Sequence, residues 1–192
     1  SDNEDYTLEE IIVTAQKTEK SLQDVPIAVS ALSADDLALR QAVRFTDLPL
    51  NVPNLSYSET NFGGSSVSIR GIGRLATGIS FDQSVTTHIN ESPWGENTNV
   101  ATMFDMDRVE VLRGPQGTLF GRGTTAGLVN LVTKRPSVDS GVEGYAGYTA
   151  GEYDLQVFEG AVNIPLDDNF ALRAAYTPVS YTHLTLPTIH RV

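Results

Sequence analysis

Few side chains in this chain of 192 residues could carry chemistry. The sequence has no cysteine, which excludes disulfides, thiolate metal sites and cysteine nucleophiles. Histidine occurs only at His88, His183 and His190, so a metal site with several histidine ligands is hard to build. Two pairs of adjacent acids, at residues 35–36 and 167–168, lie at a predicted helix start and in a predicted turn, where capping and turn roles explain them. We therefore predict no metal site, no cofactor and no catalytic group.

Two glycine pairs approximate the loop that binds the pyrophosphate of a dinucleotide. They lie in residues 71–76, Gly-Ile-Gly-Arg-Leu-Ala, and in residues 121–126, Gly-Arg-Gly-Thr-Thr-Ala. Such a loop needs a strand before it and a long helix after it, because the helix N-terminus faces the phosphates. A strand pattern follows the second pair, and poor helix formers follow the first. Tight turns are the favoured role of these glycines, and a nucleotide-binding enzyme stays an alternative.

The charge balance and the hydrophobic content limit the class of protein. Lysine and arginine number 13 against 24 acids, and the net charge of −11 disfavours nucleic acid, because phosphate neutralisation needs clustered cations. Hydrophobic residues make up 40% of the chain, enough for a sizeable core. No stretch approaches the roughly 20 apolar residues of a membrane-spanning helix, whereas a membrane β-strand needs only alternation.

The N-terminal residues combine an acidic tail with a β-prone run. Residues 1–10 hold five acids and no base, which is typical of a solvated, mobile tail. Residues 11–15, Ile-Ile-Val-Thr-Ala, follow directly, and we expect no turn and no hairpin partner nearby. Two predictions stay open for this run: an ordinary edge strand, or an extended peptide that pairs with the sheet edge of another protein.

Helical turns are predicted at two places. A serine and two acids within residues 33–36 can cap a helix, and Leu37, Leu39 and Val43 would face its core. A second turn, at residues 45–48, would be stopped by Pro49 and Pro53.

Four short strands are predicted, around residues 67–72, 85–89, 108–113 and 128–133. In the third of them, Val109 and Val111 alternate with Arg108 and Glu110. Strands mixed with short helices indicate a small α+β domain with a mixed sheet, ending near residue 136.

The pattern changes after residue 136. Alternating strands with tight turns are predicted at residues 142–149, 155–164 and 170–176. They resemble the first antiparallel strands of a transmembrane β-barrel, and closure takes at least about eight strands. We therefore expect an incomplete barrel, with strands missing after residue 176. Residues 178–192 change composition again and are predicted to be a non-native translated tail, the alternative being a true strand at residues 181–186.

The densest motif of the sequence points to a family. Residues 107–136 contain Asp-Arg-Val-Glu-Val-Leu-Arg-Gly-Pro-Gln-Gly-Thr-Leu-Phe-Gly and, further on, Gly-Leu-Val-Asn-Leu-Val-Thr-Lys-Arg-Pro. This segment resembles the end of the plug domain of TonB-dependent outer-membrane receptors. Residues 10–15 resemble a TonB box, and residues 52–55 and 68–73 resemble the middle of the plug.

The resemblance covers about residues 9–177 and departs from the family at two places. Pro49 interrupts a segment that is usually helical, and Asn-Glu-Ser-Pro at residues 90–93 replaces a common Asp-Gly turn. The resemblance implies four parts: a flexible segment with the TonB box at residues 1–19, a plug at 20–136, the first barrel strands at 137–177, and the tail at 178–192.

The function implied by the resemblance is active import of a scarce nutrient, such as a siderophore–iron complex, across the bacterial outer membrane. The plug gates a barrel that contacts outer-membrane lipid, and a small-molecule ligand binds from outside. The C-terminal domain of TonB, energised by its inner-membrane partners, engages the TonB box in the periplasm. The alternatives are the nucleotide-binding enzyme above and a truncated gene product without function as it stands.

The resemblance also assigns roles to single residues. TonB binding falls to Glu10, Ile11, Ile12, Val13, Thr14 and Ala15. Arg70 and Arg113 would pair with barrel glutamates, the alternative being surface arginines at strand ends. Ligand contact at the plug apices falls to Ser58, Glu59, Asn61, Arg74, Phe81, Trp94 and Glu96. For Trp94, the alternative is packing at the base of a loop.

Overall fold

The computed structural model describes residues 12–14, 20–21, 23, 25, 27–42, 44–59, 65–73, 84–94, 103–150 and 156–180. The chain divides into two compact units, residues 1–133 and residues 134–192. In chain order the strands are β1 (Ile12–Val13), β2 (Lys20–Ser21), β3 (Ala28–Ser33), β4 (Leu55–Glu59), β5 (Ser65–Ile69), β6 (Ile72–Gly73), β7 (Val85–Ile89), β8 (Ser92–Pro93), β9 (Met106–Arg113), β10 (Gly127–Thr133), β11 (Glu143–Ala150), β12 (Gln156–Asp167), β13 (Phe170–Tyr176) and β14 (Val179–Ser180).

The helical pieces within the described residues are short. They are α1 (Ala34–Leu39), a 3-10 helix (Phe45–Leu50) and α2 (Gly117–Phe120). Among the described helices, none has the length and apolar character needed to cross a membrane. The described chain is therefore built mainly from strands, with few and short helices.

A mixed sheet of five strands organises the first unit, in the order β3-β9-β10-β7-β8. The central strand β10 pairs antiparallel with β9 and parallel with β7, so that Val129 lies between Val111 and Thr87. Both faces of a central strand are covered, which explains why Gly-Leu-Val-Asn-Leu-Val is buried throughout. The strands predicted at residues 85–89, 108–113 and 128–133 are confirmed.

Each face of this sheet packs against its own hydrophobic cluster. On one face, Val109, Val111, Val129 and Leu131 join the larger cluster, to which Phe45 also belongs. On the other face, a smaller cluster forms from Leu112, Leu128, Val13 and Val25. Burial of a side chain of this size stabilises the fold by about 1.5–3 kcal/mol.

Helix α1 begins as the sequence predicts. The Ser33 hydroxyl accepts a hydrogen bond from the Asp36 amide, and the Asp36 carboxylate accepts one from the Ser33 amide, which forms a capping box. Leu37 is buried, as predicted. The prediction for Leu39 is wrong, since this side chain is 83% exposed. Two residues along a helix turn the side chain by about 200°, to the opposite face. Val43 lies outside the described residues.

The 3-10 helix continues through Pro49, so the prediction that this proline stops it is wrong. In a helix of this length a proline removes only one amide donor. The Asp47 carboxylate accepts a hydrogen bond from the Arg44 amide at the start of the helix, and Phe45 and Leu48 point into the larger cluster.

Two tight hairpins contain residues with positive φ. Arg70 and Gly71, at φ 55° and 75°, connect β5 to β6, so residues 67–72 form a hairpin rather than one strand. Asn90 and Glu91, at φ 48° and 67°, connect β7 to β8. Two-residue turns of this kind match the twist of the strands when both residues are left-handed.

The N-terminal run has a partner in the chain. Ile12 pairs with Ser21, and Val13 pairs with Lys20, in a short antiparallel ladder. The prediction that this run has no hairpin partner nearby is therefore wrong. Strand β1 is covered on one side by the sheet, because the Val13 side chain is completely buried.

The second unit is an antiparallel meander of β11, β12 and β13, and β14 pairs with the start of β12. Strand β12 extends through Pro165 to Asp167, so the turn is shorter than predicted. Asn163 is fully buried: its Oδ1 accepts from the Ser137 amide, and its Nδ2 donates to the carbonyl oxygens of Ser137 and Gly141. The large exposed side chains of these strands are Tyr145, Tyr148, Phe158, Val162, Leu166, Phe170, Leu172 and Tyr176.

Candidate functional site

A buried carboxylate joins the N-terminal run to the central sheet. Glu110, on β9, is completely buried. Its Oε1 accepts a hydrogen bond from the Thr14 amide at 2.8 Å, and the Thr14 hydroxyl lies 3.1 Å from each carboxylate oxygen. These two residues are 96 positions apart in the sequence. Hydrogen bonds to an ionised acceptor are the strong ones, so this contact fixes the position of Thr14 on the sheet.

Asn130, on β10, completes the polar cluster on this face. Its Nδ2 lies 3.3 Å from Glu110 Oε2 and 3.4 Å from the Thr14 hydroxyl oxygen. Its Oδ1 accepts a hydrogen bond from the Glu91 amide, in the turn between β7 and β8, at 3.0 Å. One buried amide side chain therefore bridges the N-terminal run and the Asn90–Glu91 turn.

Arg108 supplies the positive charge for Glu110. Its Nε donates to Glu110 Oε1 at 2.8 Å, and its guanidinium also pairs with Asp107. Burial would lower the pKa of Arg108, but the hydrogen bonds and charges of Glu110 and Asp107 raise it above its ordinary value. Arg108 is therefore charged at every physiological pH, and the buried carboxylate keeps a cationic partner.

Two polar residues anchor the Asn90–Glu91 turn to the end of β10. Asn90 Oδ1 accepts a hydrogen bond from the Thr133 amide, and Asn90 Nδ2 donates to the Thr133 hydroxyl. The buried His88 ring lies 3.1 Å from the Glu91 carbonyl oxygen and packs edge-on against Phe120. These contacts hold the left-handed turn in one geometry.

Trp94 follows this hairpin and is 55% exposed. Its amide donates to the Thr87 carbonyl oxygen, so the backbone is fixed while the indole faces solvent.

Arg70 and Arg113 flank one junction between two sheets. Arg70 follows Ile69, and Arg113 is the register partner of Gly127 on β10. A Cβ at Gly127 would lie 2.9 Å from Ile69 Cδ1, so the two segments touch at this point. Neither arginine forms an ion pair with a residue that the structure describes, and Arg113 Nε is buried without a hydrogen-bond partner.

Of the glycine pairs, Gly73 lies in strand β6, and the other three glycines lie in turns or connections. Gly71 belongs to the β5–β6 turn, while Gly121 and Gly123 have positive φ between α2 and β10. Residues 127–133 form a strand where a dinucleotide loop requires a helix. Within the part of the chain that the structure describes, no three histidine or acidic side chains are grouped so as to hold a metal ion.

Comparison with known proteins identifies the first unit. A family model described as TonB-dependent Receptor Plug Domain matches residues 21–128, more than half of the 192 residues. The chain belongs to this plug family. The resemblance inferred from residues 107–136 is thereby confirmed.

Relatives of this plug are named as receptors or transporters. The pesticin receptor of Yersinia pestis is 30% identical over 137 residues, which cover 70% of this chain and 20% of the receptor. The ferrichrome outer membrane transporter/phage receptor of Escherichia coli (strain K12) is 30% identical, covering 66% of this chain and 17% of the transporter. The chain therefore spans about a fifth of the length of these curated relatives. The Escherichia coli relative is named as an outer-membrane protein, in agreement with the predicted location, the bacterial outer membrane.

A solved structure of a receptor has a similar fold. The ferric yersiniabactin uptake receptor of Yersinia pestis superimposes with a TM-score of 0.68 at 26% identity, covering 81% of this chain and 24% of that receptor. The similarity reaches beyond the residues that the family model matches.

The structure describes only part of the predicted plug sites. Ile12, Val13 and Thr14 of the TonB-box match are described, whereas Glu10, Ile11 and Ala15 lie outside the described residues. Ser58 and Glu59 end β4, with Ser58 exposed, and Trp94 follows β8. The remaining apex residues lie outside the described residues: Asn61, Arg74, Phe81 and Glu96.

Two residues of the buried polar cluster around Thr14 were not predicted as site residues from the sequence. Glu110 alternates with valines as a solvent-facing residue would, and Asn130 interrupts an apolar strand. A polar residue in a strand buried on both faces is the signal that identifies Asn130, because a buried amide needs partners. Glu110 carries no such local signal, since its partner Thr14 is remote in sequence.

Proposed function

We propose that this chain is the plug-bearing part of a TonB-dependent receptor that imports a small nutrient across the bacterial outer membrane. The observation that carries the proposal is the docking of residues 12–14, the TonB-box match, on the sheet of a plug-family domain. A short segment that lies on one face of the plug sheet is suited to being pulled away from that face.

A siderophore–iron complex is the proposed class of cargo. Among the relatives, one is a ferrichrome transporter and one solved structure is a ferric yersiniabactin uptake receptor. The exposed Trp94 indole and the neighbouring apex residues would contact this cargo, because aromatic faces bind flat or apolar ligand groups.

TonB would engage residues 10–15 by strand addition. Strand addition uses backbone hydrogen bonds and needs little side-chain chemistry. The run already forms a two-residue ladder with β2, so its backbone is extended. We propose that the C-terminal domain of TonB replaces this short ladder with a longer one and pulls along it.

Arg70 and Arg113 would hold the plug in its barrel. Their shared junction and the unpartnered Nε of Arg113 support pairing with carboxylates outside the described residues. A planar guanidinium can bind a carboxylate with two parallel hydrogen bonds.

The second unit would supply the first strands of the barrel. Its three long antiparallel strands expose aromatic and aliphatic side chains, and such side chains suit a lipid-facing wall. The proposed division thus follows residues 1–19, 20–136, 137–177 and 178–192. The proposed protein is a transporter rather than an enzyme.

Binding of TonB tests the proposal. Titration calorimetry with the periplasmic C-terminal domain of TonB should show binding to this chain. Ile12→Pro should abolish that binding, because proline lacks the amide and fixes φ, whereas Ile12→Val should retain it. Equal affinity of the proline variant would overturn the assignment of residues 10–15. A dinucleotide that raises the melting temperature specifically by several degrees would favour the nucleotide-binding alternative.

A further inference from the structure

We propose that Glu110 is a positioning residue that holds residues 12–14 on the plug and sets how readily this segment becomes available to TonB. The proposal rests on the proposed function for its TonB step, whereas the docking itself is a property of this chain. Thr14, Glu110 and Asn130 together form what we call the latch.

The latch is built from buried groups. Thr14 is 3% exposed and Asn130 is 1% exposed, and the Glu110 carboxylate is inaccessible to solvent. Thr14 contributes both of its donors, the amide and the hydroxyl, to the same carboxylate. A buried ionised acceptor that receives several hydrogen bonds selects one position for its donors, which a surface contact does not.

Thr14 is the member of the latch that can leave. When residues 12–14 are withdrawn, Glu110 loses two donors but keeps Arg108 Nε at 2.8 Å and Asn130 Nδ2 at 3.3 Å. The carboxylate is therefore not left as an unpaired buried charge, which would make release prohibitive. Water can take the places of the two Thr14 donors.

Val13 couples the latch to the smaller hydrophobic cluster. Its buried side chain packs with Val25, Leu112 and Leu128 on the face that carries Glu110. Withdrawal of residues 12–14 uncovers this face, so release breaks the polar latch and the apolar contact together. A partner that pulls the segment must therefore overcome both, and weakening either raises the fraction of released segment.

Affinity for TonB should follow that fraction. If TonB binds only the released segment, its apparent affinity is the intrinsic affinity multiplied by the released fraction. A substitution at Glu110 should then strengthen binding, although residue 110 lies outside residues 10–15 and does not contact TonB. This sign is opposite to that expected for a residue that contacts TonB directly.

Thiol accessibility measures release in the whole 192-residue chain. The sequence has no cysteine, so Val13→Cys carries the only thiol, and burial protects it from alkylation while residues 12–14 are docked. In that background, Glu110→Gln should raise the alkylation rate roughly tenfold or more, because hydrogen bonds to a charged acceptor are replaced by weaker ones. Ile12→Cys, at a site that is already half exposed, should react at the same rate with or without the Glu110→Gln substitution.

Two further variants separate positioning from general stability. Asp107→Asn removes a carboxylate that pairs with Arg108 but does not touch Thr14, and it should leave the Val13→Cys rate unchanged. Thr14→Val removes the hydroxyl and should raise the rate, whereas Thr14→Ser keeps the hydroxyl and should restore slow alkylation. If circular dichroism shows that the Glu110→Gln variant does not fold, the comparison of Thr14→Val with Thr14→Ser still tests whether the latch holds residues 12–14.

Binding to TonB is measured by titration calorimetry, with chains that retain Val13. Glu110→Gln should bind the C-terminal domain of TonB roughly tenfold more tightly than the unsubstituted chain does. Faster alkylation without any TonB binding would support the latch and contradict the proposed function. Unchanged alkylation in Glu110→Gln and in Thr14→Val would overturn the latch, whatever TonB does.

Discussion

Gly127 lies against Ile69, and the backbone around Gly127 leaves no room for a side chain at this position. A Cβ there would stand 2.9 Å from Ile69 Cδ1 and 2.2 Å from the Leu112 carbonyl oxygen, and φ is +148°. This contact joins the β4–β5–β6 sheet to the central sheet. It also brings the neighbours of these residues, Arg70 and Arg113, to one junction.

Gly127→Ala should therefore destabilise the first unit. The added methyl forces the backbone apart where φ also disfavours a side chain, and overpacking of this kind costs about 1–3 kcal/mol. Chemical denaturation followed by circular dichroism measures the loss. Gly117→Ala is the matched control, since nothing lies within 4 Å of its Cβ. Equal stability of the two variants would contradict the close contact.

Arg113→Ala should affect the complete receptor and this chain differently. In the receptor, the proposed pairing of Arg113 with a barrel carboxylate predicts a loss on the order of 3–5 kcal/mol, because the substitution would leave that carboxylate unpaired in a partly desolvated wall. In this chain the change should be nearly neutral, because Arg113 has no ion-pair partner among the described residues. The measurement is the change in the free energy of unfolding that Arg113→Ala causes in each of the two proteins. Equal losses would show that Arg113 serves the fold of the plug itself.

Asn130→Leu should weaken the plug although leucine is apolar and of similar size. The Glu91 amide would lose its acceptor and the Glu110 carboxylate would lose a donor. An unsatisfied buried polar group costs about 1–3 kcal/mol. Asn169→Leu, at an exposed turn, provides the control. A shift of the denaturation midpoint that is the same in both variants would contradict a structural role for the Asn130 bridge.

Trp94 should report ligand binding by its own fluorescence, because it is the sole tryptophan. A side chain that is 55% exposed should emit as a solvated indole and be quenched by acrylamide. A ferric siderophore that binds the complete receptor at this apex should quench the emission component that disappears in the Trp94→Phe variant of that receptor. Trp94→Ala should weaken that binding and leave the melting temperature unchanged. A blue-shifted, protected emission would show that the indole is packed instead.

Local patterns predicted the strands and the capped helix, because the responsible interactions lie within a few residues. Ser33 and Asp36 form a capping box over three positions, and β10 is an apolar run. One of the errors concerns a side chain whose surroundings come from elsewhere. Glu110 is buried because a segment 96 residues away covers it. The error at Leu39 is local, because two residues after Leu37 the helical period places a side chain on the opposite face.

The order of strands in the central sheet has a consequence for how the chain folds during synthesis. Strand β10 is the last strand of the first unit to emerge, yet it lies in the middle of the sheet, between β9 and β7. Strand β7 has no long partner until residues 127–131 are available to pair with it. Pairing of strands that are distant in sequence is slow, and an unpaired strand edge invites aggregation. Nascent plugs should therefore depend on chaperones until residue 133 has left the ribosome, and halting translation just before β10 should yield a protease-sensitive chain.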